Sequence, residues 1–231
     1  MTRQVLFLDA DDTLWENNIY FERAIERFYD LVAPACSDRI AARAEINRQE
    51  RRVVTEIGYG LATFQLALER AFQTLAPQNW SPTAAAAIAD LTAAIASEPI
   101  EFLPGALETL AYLAPRHRLF LLTKGDYAEQ SRKVALSGIT ALFEQVHVLA
   151  EKNLAAYEAR LQSLAVAPAS CWMIGNSPKS DINPALAAGM NAVLIPHPHT
   201  WVLEHEELNS ACAAGCQFLV LHRLPELTNY F

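Results

Sequence analysis

The sequence predicts an α/β protein: a Rossmann-like parallel sheet with helices on both faces, interrupted after its first strand by an all-helical segment of four helices. Three observations predict it. Short, largely apolar runs recur at 4–9, 118–122, 145–149, 171–175, 191–195 and 217–222. From about residue 101 these runs alternate with segments of helical period, and strands apolar along their length suit a sheet buried on both faces. Between about 16 and 100 the helical period stands alone, with almost no strand signal. The expected organisation is a core of 1–15 and 101–231 and a helical domain of 16–100.

The elements follow in order. In the helical segment, Phe21, Ile25, Phe28, Tyr29 and Val32 lie at i, i+4, i+7, i+8 and i+11, on one helix face. Ser37 is placed to cap a second helix that runs to Ile57, where Gly58-Tyr59-Gly60 ends it. Leu61, Phe64, Leu68, Phe72 and Leu75 form a third stripe. Ser81 and Pro82 suit the cap and first position of an alanine-rich fourth helix over 83–96. In the core, a helix carrying Leu107, Leu110 and Leu113 precedes the strand at 118–122. A helix capped by Asp126 runs to Gly138, and one with Leu154, Tyr157, Leu161 and Leu164 follows the strand at 145–149. The strand at 171–175 leads into a helix that ends at Gly189.

Formal charge is −8, with 26 acidic against 18 basic residues and no basic run. That balance argues against nucleic acid or an anionic membrane as partner. No stretch approaches the ~18 apolar residues of a membrane span, and the N-terminal apolar run is short for a signal peptide. The scattered cysteines Cys36, Cys171, Cys212 and Cys216 contain no Cys-x-x-Cys pair, so reduced thiols and a cytoplasmic setting are expected. His197 and His199, in His-Pro-His, are read as a loop, since no other ligand stands near them at zinc-site spacing in the sequence.

Ligands of an open parallel sheet sit beyond the carboxyl ends of its strands. After the first strand come Asp9, Ala10, Asp11, Asp12 and Thr13; after the second, Thr123 and Lys124; after the third, Glu151 and Lys152; after the fourth, Gly175 to Asp181. The chain has four lysines against fourteen arginines, and Lys124, Lys152 and Lys179 fall in these short loops. Crowded carboxylates are costly unless a cation offsets them. Acids, a hydroxyl and lysines on one edge suit Mg²⁺ together with a phosphate. Asp9 and Asp11, two apart where a strand frays, can serve as nucleophile and proton donor.

These residues resemble the haloacid dehalogenase-like superfamily over the whole chain. Asp9-Ala10-Asp11-Asp12-Thr13 matches the first motif, Thr123 the second, Lys152 the third, and Met173-Ile174-Gly175-Asn176-Ser177-Pro178-Lys179-Ser180-Asp181 the fourth. The helical insertion looks like the family's cap domain. The resemblance implies a Mg²⁺-dependent phosphatase of a small phosphorylated metabolite, working through an aspartyl-phosphate. Asp9 would be the nucleophile and Asp11 the acid and base. Thr123, Lys152 and Lys124 would contact phosphate, Lys124 as the rival of Lys152. Mg²⁺ would be held by Asp9, the main-chain carbonyl of Asp11, Asn176 and Asp181. The cap would close over the site and choose the substrate.

Two departures stand out. Asp12 replaces a glycine common at that position, and its side chain is expected to stabilise the turn. Asn176 replaces a usual aspartate, which lowers the expected Mg²⁺ affinity; Asp181 then either compensates as a ligand or anchors Lys152. The alternatives are a phosphomutase, a metal-independent haloacid dehalogenase, and a non-catalytic sensor of phosphorylated metabolites. Dehalogenases of the family generally lack the second acid, so Asp11 argues against that branch. Trp15 and Asn17 lead into the insertion as hinge packing or substrate contacts, and Lys179 is a residue of the cleft or of the solvated surface.

Overall fold

Six parallel strands form one sheet in the order β3-β2-β1-β4-β5-β6. The strands are β1 (Val5–Leu8), β2 (Arg118–Lys124), β3 (Gln145–Leu149), β4 (Cys171–Gly175), β5 (Asn191–Leu194) and β6 (Phe218–Val220). This computed structural model describes residues 3–209 and 215–231. The chain divides into two compact units, Met1–Asn17 with Ile100–Phe231, and Asn18–Pro99.

Strand alternation explains why the strands are continuous apolar runs. Leu6, Leu8, Leu119, Leu121, Trp172 and Ile174 share one core with Ala106, Leu110 and Leu113 of α5 (Ala106–Leu113) and Val134 of α6 (Tyr127–Ser137). Val5, Phe7, Phe120, Leu122, Cys171 and Met173 point the other way, against Tyr157 and Leu161 of α7 (Leu154–Leu164) and Ala185 of α8 (Asn183–Ala187). Every position of β1, β4 and β5 and the central five of β2 are thus buried, as a two-sided parallel sheet demands. The chain leaves β1 for β2 and β3 on one side and returns to β4, β5 and β6 on the other. The carboxyl end of β1 is therefore the topological switch point, where this class of sheet binds ligands.

The unit of 18–99 contains α1 (Asn18–Val32), α2 (Arg39–Ile57), α3 (Leu61–Leu75) and α4 (Pro82–Ser97). They bury Ile25, Phe28, Val32, Ile46, Leu68, Phe72 and Ile88 in a core of their own. Full burial of each such side chain contributes about 1.5–3 kcal/mol. Arg43 binds both oxygens of Glu22 at 2.6 and 2.7 Å.

Local signals set the boundaries. Asp126, Asn153 and Ser81 cap their helices, accepting from Glu129 N, Ala156 N and Ala84 N. The cap of α2 is Asp38 rather than Ser37: its carboxylate accepts from two amides, Ile40 N and Ala41 N. The helix expected after β4 divides into one π-helical turn, Pro178–Ile182, and the short α8. Both Asp181 N and Ile182 N donate to the Ser177 carbonyl, which widens the turn, and Pro184 has no N–H to tighten it. The last strand is shorter than its apolar run, three residues at the sheet edge. No helix among the described residues is long and apolar enough to cross a membrane. Cys36, Cys171 and Cys216 are free thiols, and burial pushes Cys171 up to about 11. Cys212 lies outside the described residues.

Candidate active site

Strand register brings the site together. Leu8 pairs with Leu121 and with Ile174, so the residues following these three emerge at one edge. Asp9 N donates to the Ile174 carbonyl at 2.9 Å, carrying the β1–β4 ladder one residue further. Asp9 is thereby fixed where strand becomes loop, and the residue is buried (7% exposed). The loop then turns tightly, with Thr13 N, Leu14 N and Trp15 N all directed at the Ala10 carbonyl. Asp12 adopts a left-handed conformation, φ 58°, where glycine is the undemanding choice. Aspartate is tolerated because its carboxylate accepts from Asn17 N at 2.9 Å, a local bond of the kind that lets Asp visit this region.

The electrostatic centre is a buried triad. Lys152 Nζ binds Asp9 Oδ1 at 2.5 Å and Asp181 Oδ1 at 2.7 Å, with all three side chains nearly inaccessible. Asp181 Oδ2 accepts from Ser177 N at 3.0 Å. Of the two roles the sequence leaves open for Asp181, its bonds here are those of an anchor for Lys152. Burial pushes Asp9 up to about 7; Lys152 opposes the shift and Asp181 reinforces it. Burial works against the Lys152 ammonium, but Asp181 and Asp9 outweigh it and hold its pKa above the usual lysine value.

Gly175 makes room for this arrangement. A Cβ there would land on the Asp181 carboxylate. Gly175→Ala is expected to displace Asp181, loosen Lys152 and cost about 1–3 kcal/mol of stability. Since a 1 Å misplacement can cost about 10²-fold in rate, turnover should fall by a similar factor. Thermal melts and initial rates check both; an alanine variant with unchanged melt and rate would contradict this role.

Asp11 faces different partners. Lys133 Nζ binds both its oxygens at 2.6 Å, Gln130 Nε2 donates to Oδ2 at 2.9 Å, and Trp15 Nε1 donates to Oδ1 at 2.7 Å. Burial opposes its ionisation, but Lys133 together with these donors holds its carboxyl below the usual carboxylate range. Trp15 is fully buried and packs edge-on against Phe102, and Asn17 accepts from Lys133 at 3.0 Å.

Thr123, buried, is the sixth residue of β2, in register with Val148. Lys124 takes a place other than the phosphate contact suggested by the sequence. Strand β2 continues through it, so it projects from the face opposite Thr123. Its ammonium binds Glu204 at 2.6 Å and Ser180 Oγ at 2.8 Å. Glu204 also accepts from Ser177 Oγ at 2.7 Å and from Ser180 Oγ, clamping the π turn that carries Asp181. Lys179 donates to the Leu203 carbonyl at 3.2 Å and, with Glu151, Lys152 and Glu206, lines an open cleft of about 770 Å³.

The residues at the end of β1 fit a small hard cation. Asp9, Lys152 and Asp181 carry one positive charge against two carboxylates, and Asp181 adds to the burial that raises the pKa of Asp9. Thr13 Oγ1 lies 2.9 Å from Asp9 Oδ2 and 3.4 Å from Asn176 Oδ1, and one hydroxyl proton cannot serve both acceptors. Asn176 Nδ2 donates to Thr200 Oγ1 at 3.2 Å, which turns its oxygen towards Thr13. Anionic and neutral oxygens of this kind are the donors Mg²⁺ takes.

Distant parts of the sequence supply further site residues. His197 sits between Asp12 and Glu16, Nδ1 3.7 Å from one and Nε2 3.3 Å from the other, a cluster of metal-ligating types that its sequence neighbours do not reveal. Gln130 and Lys133, i and i+3 on one helix face, lie beyond the loop that follows β2, where a search of the strand ends does not reach.

Comparisons with known proteins agree with this geometry. The family model of haloacid dehalogenase-like hydrolases matches residues 4–189. Among solved structures, the chain is similar to a haloacid dehalogenase-like family hydrolase from Xanthomonas campestris, at 24% identity and TM-score 0.83, covering 99% of this chain and 90% of that one. It is similar to a magnesium-bound HAD-hydrolase from Bacillus subtilis, at 16% identity and TM-score 0.65, covering 100% and 99%. It is also similar to L-2-haloacid dehalogenase from Xanthobacter autotrophicus, at 18% identity and TM-score 0.63, covering 99% and 98%. No curated protein matches the sequence.

Proposed function

The chain belongs to the haloacid dehalogenase-like hydrolases, and we propose that within them it is a Mg²⁺-dependent phosphatase that dephosphorylates a small metabolite through an aspartyl-phosphate on Asp9. One observation carries this reading: a second carboxyl, Asp11, is held by four hydrogen bonds two residues beyond the nucleophile. A halide leaves as a stable anion and needs no proton. The alkoxide of a phosphate ester needs one, and a placed acid supplies it.

The steps follow from the side chains. An Asp9 oxygen attacks phosphorus as the bond to the ester oxygen breaks, and Asp11, ionised at rest, takes up a proton as substrate binds and passes it to that oxygen to release an alcohol. Water then attacks phosphorus, its proton passes to Asp11, and the bond to Asp9 breaks to give phosphate. Lys152, held by Asp181, and Thr123 bind the phosphoryl oxygens. Asp9, the Asp11 carbonyl and Asn176 would hold Mg²⁺, with Asp181 reaching it only by giving up one of its present bonds. Bound there, the ion would neutralise charge on the phosphoryl group.

A second reading, a metal-independent dehalogenase, is favoured by the neutral Asn176 at a position that usually carries an acid. The test is phosphate release from p-nitrophenyl phosphate and a panel of phosphorylated metabolites beside halide release from 2-chloropropionate, each with Mg²⁺ and with EDTA. Phosphate release lost in EDTA is expected. Halide release in EDTA, with no phosphate release from any compound, would overturn the phosphatase reading. Asn176→Asp is expected to tighten Mg²⁺ roughly tenfold, because ligand charge tunes affinity. The dependence of melting temperature on Mg²⁺ reads this directly; unchanged affinity would remove Asn176 from the ligand set.

A further inference from the structure

We infer that Lys133 is the positioning residue of Asp11, holding the acid/base carboxyl in its working orientation; this rests on the phosphatase reading above. The backbone of the loop fixes where Asp11 begins, through Asp12 N donating to the Trp15 carbonyl at 2.8 Å, but leaves its side-chain torsions free. Three residues remove that freedom. Trp15 holds one oxygen, Gln130 the other, and Lys133 spans both. Each oxygen is thus held by the ammonium and by one neutral donor, which fixes both side-chain torsions.

Lys133 is itself fixed. It is anchored on α6 and donates to Asn17 Oδ1 at 3.0 Å. Gln130 comes from one turn earlier, and its amide also donates to the Lys124 carbonyl at 3.0 Å. Gly125 admits that amide: with φ 145° it is glycine by conformation, and a Cβ would stand 2.9 Å from Gln130 Nε2. Loop, strand end and helix thus converge on one carboxyl. No step of the reaction uses Lys133 on the substrate, and its charge is committed to Asp11 and Asn17.

The test separates positioning from mere structure by leaving group. Nitrophenolate departs without a proton, whereas an alkoxide requires one. Wild type, Lys133→Met, Lys133→Arg and Asp11→Asn are compared by kcat/KM on p-nitrophenyl phosphate and on glycerol 2-phosphate. Asp11→Asn should lose about 10²–10⁴-fold on the alkyl ester, the usual worth of general acid catalysis. Lys133→Met should lose at least about tenfold more on the alkyl ester than on the aryl ester, a part of that same contribution. Lys133→Arg should recover part of the difference. In the Asp11→Asn background, Lys133→Met should add nothing.

Equal losses on the two esters, or additive losses in the double variant, would overturn the inference. If Lys133→Met melts early, Lys133→Gln, which keeps a donor and removes the charge, reads the same ratio. A wild type that hydrolyses neither ester overturns the phosphatase reading and this inference with it; a wild type active on both, with an unchanged ratio in the variants, overturns this inference alone.

Discussion

Replacing Asp9 by asparagine is expected to abolish phosphate release, by at least about 10³-fold, and to leave the fold intact. The amide has the shape of the carboxylate but no anionic oxygen to attack phosphorus. Its surroundings tolerate the change. The burial that pushes Asp9 up to about 7 shows that the ionised carboxylate is expensive where it sits, so a neutral side chain relieves a cost. Thr13 and Lys152 can still donate to the amide oxygen. Initial rates beside a thermal melt check both halves. An asparagine variant with activity near wild type would remove Asp9 from the nucleophile's role, and one that is inactive because it is unfolded would contradict the stability argument.

Lys152→Met is expected to give the largest loss of stability. Methionine matches the lysine stem in volume but leaves Asp9 and Asp181 facing each other with no cation between them. Removing one partner of a buried ion pair costs about 3–5 kcal/mol, because the remaining charge is stranded. At about 2–4 °C per kcal/mol for a protein of this size, the melting temperature should fall by roughly 10 °C. The sign with pH is fixed. Carboxyls stranded in this way have raised pKa values in the folded state, so they hold protons there that the unfolded chain releases. The penalty is largest at neutral pH and shrinks as acid neutralises them. Turnover should fall as well, since Lys152 is proposed to bind the phosphoryl group. A melt unchanged at neutral pH, or a penalty that grows in acid, would contradict the triad.

Much of this site is legible in the sequence because the parallel sheet turns chain order into geometry. Once apolar runs mark the strands, the residues after each run meet at one edge. Asp9, Asp11, Lys152, Asn176 and Asp181 follow strands in this way, and Thr123 follows the apolar run 118–122 of a strand that continues through it. Three features escape that logic. Lys124 is distinguished from Thr123 only by strand alternation, and the alternation is visible only once β2 is known to continue past Leu122. Lys133 lies nine residues along from Lys124, in the body of a helix, so a search of the strand ends passes over it. Glu204 and His197 come from an irregular segment after β5, where no periodicity sets direction, and only tertiary folding brings them to Lys124 and Asp12. The helix after β4 is legible only in part for a related reason. The apolar pattern gives its existence and its end at Gly189, but not the π turn imposed by the Ser177 carbonyl accepting two amides.

The central claim is covalent catalysis by Asp9. It is tested most directly by trapping the intermediate in Asp11→Asn, supplied with p-nitrophenyl phosphate and Mg²⁺. The aryl ester forms the intermediate without a general acid, and the missing base slows its hydrolysis. Acid quench and peptide mass analysis should find one phosphoryl group on the peptide that contains Asp9, and none in Asp9→Asn. Continued turnover with that peptide unmodified, or a phosphoryl group on another residue, would contradict the account.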